Sequence, residues 1–153
     1  MQFFNVKSYE DLKSNLISLT KPLGIEKIDF KQAYGRIVAN DIKSPVDLPD
    51  FNRSTMDGFA VRSKDTFGAS SSSPAYLEII GEILMGESTG LSLKPGETAK
   101  IATGGMLPEN ADAVVMVEDT NEIDDKTVEI NNAVSPRENT VQIGEDVKKG
   151  EII

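Results

Sequence analysis

The stretch that carries most of the information about the fold reads Leu48-Pro49-Asp50-Phe51-Asn52-Arg53-Ser54-Thr55-Met56-Asp57-Gly58-Phe59-Ala60-Val61. It places an arginine, two hydroxyls and a carboxylate within five residues, between apolar residues at both ends. One interpretation is a loop that binds an anionic ligand. Arg53 would fork onto a phosphate, and Ser54 and Thr55 would donate hydrogen bonds. Asp57 would hold magnesium, which prefers oxygen ligands. The alternative is a turn in which Gly58 supplies a positive φ.

A second stretch, 101–108, runs from a predicted strand into the glycine pair Gly104 and Gly105. Glycines let backbone N–H groups approach an anion closely, which would suit a phosphate-bearing ligand. The spacing does not match a P-loop, which ends in Gly-Lys-Ser/Thr, or a Rossmann loop. The alternative is a tight turn in which Thr103 satisfies a local backbone group.

Two acidic stretches favour structural interpretations. The run 118–125 resembles a cation site only superficially, because it lacks the glycine and terminal glutamate of an EF-hand loop. It is predicted to be a solvated hairpin tip. The sequence Gly144-Glu145-Asp146 reads as a turn, and its adjacent carboxylates would point to opposite faces of an extended chain.

The composition excludes several classes of protein. The chain has 153 residues and a net charge of −9, which disfavours binding to the phosphate backbone of nucleic acids. It contains no cysteine and no histidine, so disulfides, thiolate metal sites and a Ser-His-Asp triad within the chain are excluded. No apolar run approaches the ~20 residues that cross a bilayer, and no signal peptide is recognisable. We therefore expect a cytoplasmic protein with no nucleic-acid or membrane partner.

The charge is unevenly distributed along the chain. Residues 1–48 hold seven basic and six acidic residues, whereas residues 49–137 hold seven basic and fifteen acidic ones. The change falls beside Pro45 and Pro49, which favour an extended connection and mark a candidate boundary. The apolar ending 151–153 suggests a longer protein.

The periodicity predicts one helix followed mainly by strands. Ser8 is expected to cap a helix whose apolar face includes Leu12 and Leu16, and Pro22 is expected to end it. A short strand at 26–30 and one helical turn at 31–35 should follow. Further strands are predicted at 76–84, 98–102, 113–118 and 127–130, with Gly81 at a bulge and a hairpin turn at 124–126. The serine-rich stretch 68–74 is predicted to be a flexible surface loop.

Taken together, these stretches resemble one family. In order they are Ala-Tyr-Gly-Arg (33–36), the stretch 48–61, Thr-Gly-Gly-Met-Leu-Pro-Glu-Asn-Ala-Asp-Ala-Val-Val (103–115) and Gly-Glu-Asp-Val-Lys-Lys-Gly (144–150). This order is similar to the N-terminal region of the MoeA and gephyrin E-domain family, the molybdopterin molybdenumtransferases. The resemblance covers nearly the whole chain. Its most specific parts are the Met-Asp-Gly block and the Thr-Gly block.

The resemblance implies an α+β, mostly β fold. A discontinuous mixed α/β domain would comprise residues 1–48 and 138–153, and an inserted β domain would comprise residues 49–137. The family's catalytic-type α/β domain and its C-terminal β domain would lie beyond this chain. The family inserts molybdate into adenylylated molybdopterin and releases AMP, with magnesium required. Because most contacts to pterin and molybdate are expected in the absent domain, the isolated chain should lack full activity.

The resemblance also implies roles for individual residues. Asp57 and Thr103 match family positions that serve activity, with Asp57 as the magnesium ligand. Ser54 and Thr55 match a pair near the ligand, and cofactor-binding roles are expected for Arg53, Gly104 and Gly105 as well. Two departures bear on these roles: Arg53 replaces the asparagine of many bacterial members, and Gly105-Met106 replaces a common Ala-Pro.

The implied partners are a second copy of the chain, as a homodimer in the full-length protein, and a molybdopterin-adenylylating protein. Two other functions remain open at the level of sequence. One is a non-catalytic dimerisation or scaffold module of the same fold, and the other is a β-rich domain that binds a small molecule. The choice between molybdenum and tungsten is open too.

Overall fold

A computed structural model describes residues 7–21 and 23–153. The chain divides into two compact units, Met1–Asp41 and Ile42–Ile153. In the described part, one α-helix and eight strands support the predicted mostly β, α+β class.

The first unit contains helix α1, Tyr9–Leu19. Ser8 caps it as predicted, because its hydroxyl oxygen accepts the N–H of Asp11 at 3.1 Å and its O–H donates to the Asp11 carboxylate at 2.7 Å. The helix ends at Leu19 and is capped by Thr20, whose N–H donates to the carbonyls of Leu16 and Ile17. The predicted stop at Pro22 lies outside the described residues. None of the side chains of α1 is buried within the described part of the chain.

The strand predicted at 26–30 was wrong. Residues 23–29 have no regular structure, and a short 3-10 helix, Phe30–Gln32, stands where one helical turn was expected. Asp29 accepts the N–H of Lys31 at 2.8 Å and so caps this turn. The alternating pattern was misleading because the segment has no neighbouring strand with which to pair among the described residues.

The second unit is built from eight strands: β1 Arg53–Ser54, β2 Gly58–Val61, β3 Ser70–Ile83, β4 Glu97–Ile101, β5 Ala113–Met116, β6 Thr120–Asp124, β7 Thr127–Asn132 and β8 Thr140–Val141. Six of them form one sheet in the order β5-β2-β4-β3-β7-β6, and β1 pairs with β8. Only β3 and β4 are parallel among the described pairs. Short 3-10 helices, Ser63–Asp65 and Val117–Asp119, follow β2 and β5.

The six-stranded sheet is strongly curled. Lys100 on β4 lies 2.6 Å from Glu122 on β6, although β3 and β7 separate the two strands in the sheet. In a flat sheet the backbones of these two strands would be about 14 Å apart, since neighbouring strands lie 4.7–4.9 Å apart, and side chains standing perpendicular to the sheet would not meet. The curl therefore brings β6 back across the face of β4.

The two faces of this sheet carry separate apolar clusters. One contains Phe59, Val61, Leu77, Ala113, Val115, Val128, Ile130 and Val134, and the other contains Ala60, Ile83, Leu93, Ala99, Ile101 and Val114. Alternate residues of β2 thus enter opposite clusters, as the two-residue period of a strand requires. Because both faces are covered, β2 and β5 are nearly continuous apolar runs.

Two predictions for β3 had different outcomes. The bulge at Gly81 is confirmed by a register shift between Ile79 and Glu82 in the pairing with β4. The flexible loop predicted at 68–74 was wrong, because β3 begins at Ser70 and pairs there with Asn132 of β7. Its backbone can pair even though small serine side chains contribute little to a core.

The start and the end of the second unit run side by side. The N–H of Ser44 donates to the carbonyl of Glu151, and the N–H of Leu48 donates to the carbonyl of Val147, each at 2.8 Å. The partition into residues 1–48 with 138–153 and an insertion at 49–137 stays a prediction.

Candidate functional site

Asp57 and Thr103 are brought together by the pairing of β2 with β4. Gly58 is opposite Ile101 in this antiparallel pair, so the residue before β2 lies beside the loop that follows β4. Thr103 donates both its backbone N–H, at 2.7 Å, and its hydroxyl, at 2.9 Å, to Oδ1 of Asp57. Two residues that are 46 positions apart in sequence therefore form one hydrogen-bonded unit on an exposed surface.

The loops that carry these residues are joined by backbone hydrogen bonds. The N–H of Ser54 donates to the carbonyl of Gly105 at 3.0 Å, and the N–H of Gly104 donates to the carbonyl of Ser54 at 2.9 Å. The N–H of Leu107 donates to the carbonyl of Asn52 at 2.9 Å. This ladder fixes the position of Thr103 relative to Asp57.

These backbone hydrogen bonds also determine which N–H groups of Gly104 and Gly105 are available to a ligand. The N–H of Gly104 is used by Ser54, and the N–H of Gly105 donates to the carbonyl of Ala102 at 2.8 Å. The tight-turn interpretation thus describes the local backbone, in which Gly104 has a φ of +81°. A cofactor-binding role for Gly104 and Gly105 stays a prediction, and it cannot use these two N–H groups while the ladder is intact.

The prediction that Gly58 supplies a positive φ to a turn was wrong. Gly58 is not among the residues with positive φ and instead begins β2. A Cβ atom at this position would lie 1.9 Å from the carbonyl oxygen of Val115 on β5. Glycine is needed here because the two backbones approach too closely for any side chain.

The other predicted ligand residues differ in accessibility. Ser54 is 2% exposed, and its hydroxyl accepts the N–H of Met56 at 3.1 Å and donates to the carbonyl of Met56. It therefore holds the turn that precedes Asp57. Arg53 is partly buried and pairs with Val141 of β8, whereas Thr55 is exposed. Ligand-binding roles for Arg53, Ser54 and Thr55 stay predictions.

The electrostatics of the site favour an ionised Asp57. Its pKa is held below the ordinary value for an aspartate, first by the backbone N–H of Thr103 and then by the Thr103 hydroxyl. Stability from these bonds is present above the pKa of the unfolded chain and is lost as the pH falls through the lowered folded pKa. Within the described part of the chain, Oδ2 of Asp57 has no hydrogen-bond partner, so one carboxylate oxygen remains available.

An open cleft of about 240 Å3 adjoins Asp57 and contains charged residues that the sequence interpretation missed. These are Glu82, Lys100 and Glu122. Hydrogen bonding to Glu122 raises the pKa of Lys100, and the charges of Glu122, Glu82 and Asp125 add to this effect. The alternation of β4 indicates that Lys100 shares a face with Thr98, but only the curl of the sheet brings Glu122 to it.

We expect the pKa of Asp57, measured by NMR titration of its carboxyl carbon, to lie below that of an ordinary exposed aspartate. Thr103→Ala, which removes the hydroxyl but keeps the backbone N–H, should raise it part of the way. Thr120→Ala, which removes a hydroxyl bonded only to the nearby carbonyl of Val117 among the described residues, is the control. An unchanged Asp57 pKa in Thr103→Ala would contradict this account.

The carboxylate of Asp57 can contribute one ligand to a magnesium site, but further ligands are needed to complete it. No group of three or more histidine, cysteine, aspartate or glutamate side chains suited to a metal occurs within residues 7–21 and 23–153. Magnesium commonly uses one or two carboxylates together with substrate phosphates and water. Asp57, ionised and with Oδ2 accessible, fits one such ligand.

No described helix combines the length and apolar character required to span a bilayer.

The fold that carries this Asp–Thr pair matches solved structures of molybdopterin biosynthesis proteins. A structure described as the molybdopterin biosynthesis MoeA protein from Pyrococcus horikosii matches with a TM-score of 0.75 and 40% identity, over 97% of this chain and 38% of that one. The sequence matches the family described as MoeA N-terminal region (domain I and II) over residues 7–153. The chain belongs to this family.

Relatives by sequence give the same assignment. A protein of Methanocaldococcus jannaschii is 47% identical over 129 residues, which is 84% of this chain and 30% of the relative. The molybdopterin molybdenumtransferase of Haemophilus influenzae is 35% identical over 138 residues, which is 90% of this chain and 33% of the relative. The chain thus spans about a third of the length of these relatives.

Proposed function

We propose that this chain forms the N-terminal region of a molybdopterin molybdenumtransferase, which inserts molybdate into adenylylated molybdopterin and releases AMP. The observation that supports this function best is the Asp57–Thr103 pair, because these are the two residues assigned to activity by the family resemblance. They lie in contact on an exposed surface, beside a cleft.

In this proposal each residue of the pair has a distinct part. Asp57 would hold magnesium through its available oxygen, and the bound ion would supply positive charge to the phosphates of the adenylyl group. Thr103 keeps the Asp57 carboxylate ionised and oriented through its two hydrogen bonds to Oδ1. Arg53 and Thr55 are assigned to the phosphate-bearing ligand, and Ser54 supports the loop.

The proposal is tested by reconstitution with the full-length protein. Given adenylylated molybdopterin, molybdate and magnesium, it should release AMP and form molybdenum cofactor, and omission of molybdate should suppress formation of the cofactor. The 153-residue chain alone should show far less activity. A folded full-length protein that forms no cofactor would contradict the proposal, and full activity of the isolated chain would refute the assignment of missing contacts to a further domain.

We also propose the discontinuous arrangement in which residues 1–48 and 138–153 form one domain and residues 49–137 form a β insertion. Support comes from the antiparallel course of the segments 42–48 and 147–153, which pairs the end of the first proposed segment with the second. A crystal structure of the full-length protein in which residues 138–153 pack entirely against the insertion would exclude this arrangement.

A homodimer of the full-length protein is a further proposal. It is supported by the first unit, where Tyr9, Leu12, Leu16 and Ile17 of α1 are all more than half exposed. Unpartnered apolar faces of this kind favour association. For the isolated chain we expect weak, concentration-dependent dimerisation in sedimentation velocity, reduced by Leu16→Glu but not by Ser14→Glu. A strict monomer at high concentration would count against a contribution from this region.

A further inference from the structure

A second cleft, of about 480 Å3, lies beyond the end of β2 opposite to Asp57. Four residues of β2 separate Asp57 from Arg62, a distance of about 13 Å or more along the strand. The cleft is lined by Arg62, Lys64, Leu93, Lys94, Pro95, Asn110 and Asp112. Three cationic side chains and one carboxylate therefore meet around the buried side chain of Leu93, in a protein whose net charge is −9.

The guanidinium of Arg62 is the central feature of this cleft. The Arg62 side chain is only 13% exposed, and its Nε lies 3.5 Å from Oδ2 of Asp65. A guanidinium carries five N–H donors. Within the described ranges the structure gives this side chain the one ion pair and no hydrogen bond of normal geometry. No buried side-chain nitrogen or oxygen of the described residues lacks a hydrogen-bond partner, so the remaining donors of Arg62 are open to solvent in the cleft. An oxyanion in the cleft could replace water on them.

The nearby carboxylates are already used to hold the walls of the cleft. Asp112 accepts the N–H of Ser63 at 2.6 Å on one oxygen and the Ser63 hydroxyl at 2.8 Å on the other. Asp65 accepts the N–H of Gly96 at 3.1 Å. These bonds tie the 3-10 helix Ser63–Asp65 both to the loop before β5 and to the loop before β4. Lys64 and Lys94, which belong to two of these segments, are thereby kept at the same opening.

We propose that this cleft binds phosphate or a phosphate monoester. Arg62 offers a planar fork at the base, and Lys64 and Lys94 offer mobile ammonium groups at the rim, which suits a tetrahedral dianion. The volume exceeds that of an inorganic phosphate, so a small esterified group fits as well. Because the whole protein is acidic, long-range repulsion opposes binding of an anion, and the affinity must come from these short contacts. The inference does not depend on the function proposed for Asp57.

The test is an NMR titration of the 153-residue chain with inorganic phosphate, and separately with glycerol 3-phosphate, at constant pH and ionic strength maintained with sodium chloride. We expect saturable shifts at the amides of Ser63 and Gly96 and at Nε of Arg62. The double variant Lys64→Gln/Lys94→Gln should weaken binding by about tenfold, since charge-assisted hydrogen bonds are lost. Both lysines are exposed, so this variant should fold. The control Lys148→Gln/Lys149→Gln makes the same charge change at exposed positions elsewhere.

The variant Arg62→Lys distinguishes specific binding of phosphate by the guanidinium from non-specific attraction of phosphate to positive charge. It keeps the charge but loses the planar fork, and it should weaken binding several-fold. Inorganic phosphate binding more tightly than glycerol 3-phosphate identifies the free ion as the ligand, and the reverse order identifies a monoester. Shifts that do not saturate, shifts reproduced by chloride, or equal weakening in the Lys148→Gln/Lys149→Gln control would each overturn the proposal.

Discussion

Asp57→Asn is expected to slow molybdenum insertion by the full-length protein by about 100-fold or more, because a ligand to a catalytic cation contributes several kcal/mol of charge stabilisation. The fold should be preserved. Asp57 is exposed, and the side-chain oxygen of asparagine can still accept both hydrogen bonds from Thr103. The measurement is the rate of cofactor formation, together with thermal unfolding of the same preparation.

A matched control lies in the segment that precedes β1. Asp50→Asn makes the same chemical change at another exposed carboxylate, for which no hydrogen bond is described, and should leave the rate nearly unchanged. Near-normal insertion by a well-folded Asp57→Asn variant would leave Asp57 as a structural residue. A large loss of thermal stability in Asp57→Asn would point in the same direction, because the carboxylate would then be needed to hold the loop.

Gly58→Ala is expected to destabilise the 153-residue chain by about 3 kcal/mol or more. The new methyl group would clash with backbone atoms of β5, which cannot move aside as easily as a side chain can. The added Cβ would lie 1.9 Å from the carbonyl oxygen of Val115 and 2.9 Å from its carbonyl carbon. Relief requires separation of β2 from β5, which pair along the length of β2. Urea unfolding followed by circular dichroism measures the effect.

Gly90→Ala is the control for this substitution. A Cβ at Gly90 meets nothing within 4 Å, and its φ lies outside the left-handed range. This variant should be neutral or slightly more stable, by at most about 1 kcal/mol, because alanine restricts the unfolded chain. Equal stability of the Gly58 and Gly90 variants would show that β2 and β5 can shift apart without loss, contrary to the close approach described here.

The local sequence was sufficient for elements whose signals lie within a few residues. The cap of α1 depends on Ser8 and Asp11, three positions apart, and was predicted correctly. The hairpin of β6 and β7 turns at Asp124-Asp125-Lys126, where an aspartate carboxylate accepts a backbone N–H two residues on. The bulge at Gly81 and the family could also be predicted from the sequence, because each depends on residue types at fixed spacing.

Features that depend on neighbours distant in the sequence could not be predicted from local residue patterns. The strand expected at 26–30 has an alternating pattern but no described partner. The serine run 70–73 has a poor pattern for a strand, yet it lies in β3, and Ser70 pairs with Asn132 of β7. Strand formation requires backbone groups on a neighbour, and a single segment does not reveal whether one is there. For this reason four strands were predicted between residues 49 and 137 where the structure has seven. The strands β1 and β2 were missed, and most of the acidic run expected at a hairpin tip forms β6. Apart from the start of β3, the boundaries of the four predicted strands agree to within two residues.

The site shows the same division. The candidate residues could be recognised from residue types alone, since a carboxylate beside hydroxyls and a glycine-rich loop carry recognisable chemistry. Their contacts follow from the fold. The register of β2 against β4 places Thr103 beside Asp57, and the backbone bonds between the two loops use the N–H groups of Gly104 and Gly105. Gly58 is required by a backbone 57 residues away rather than by its own φ. The physical reason is that side-chain chemistry is local to a residue, whereas strand register and sheet curl depend on the packing of the whole unit.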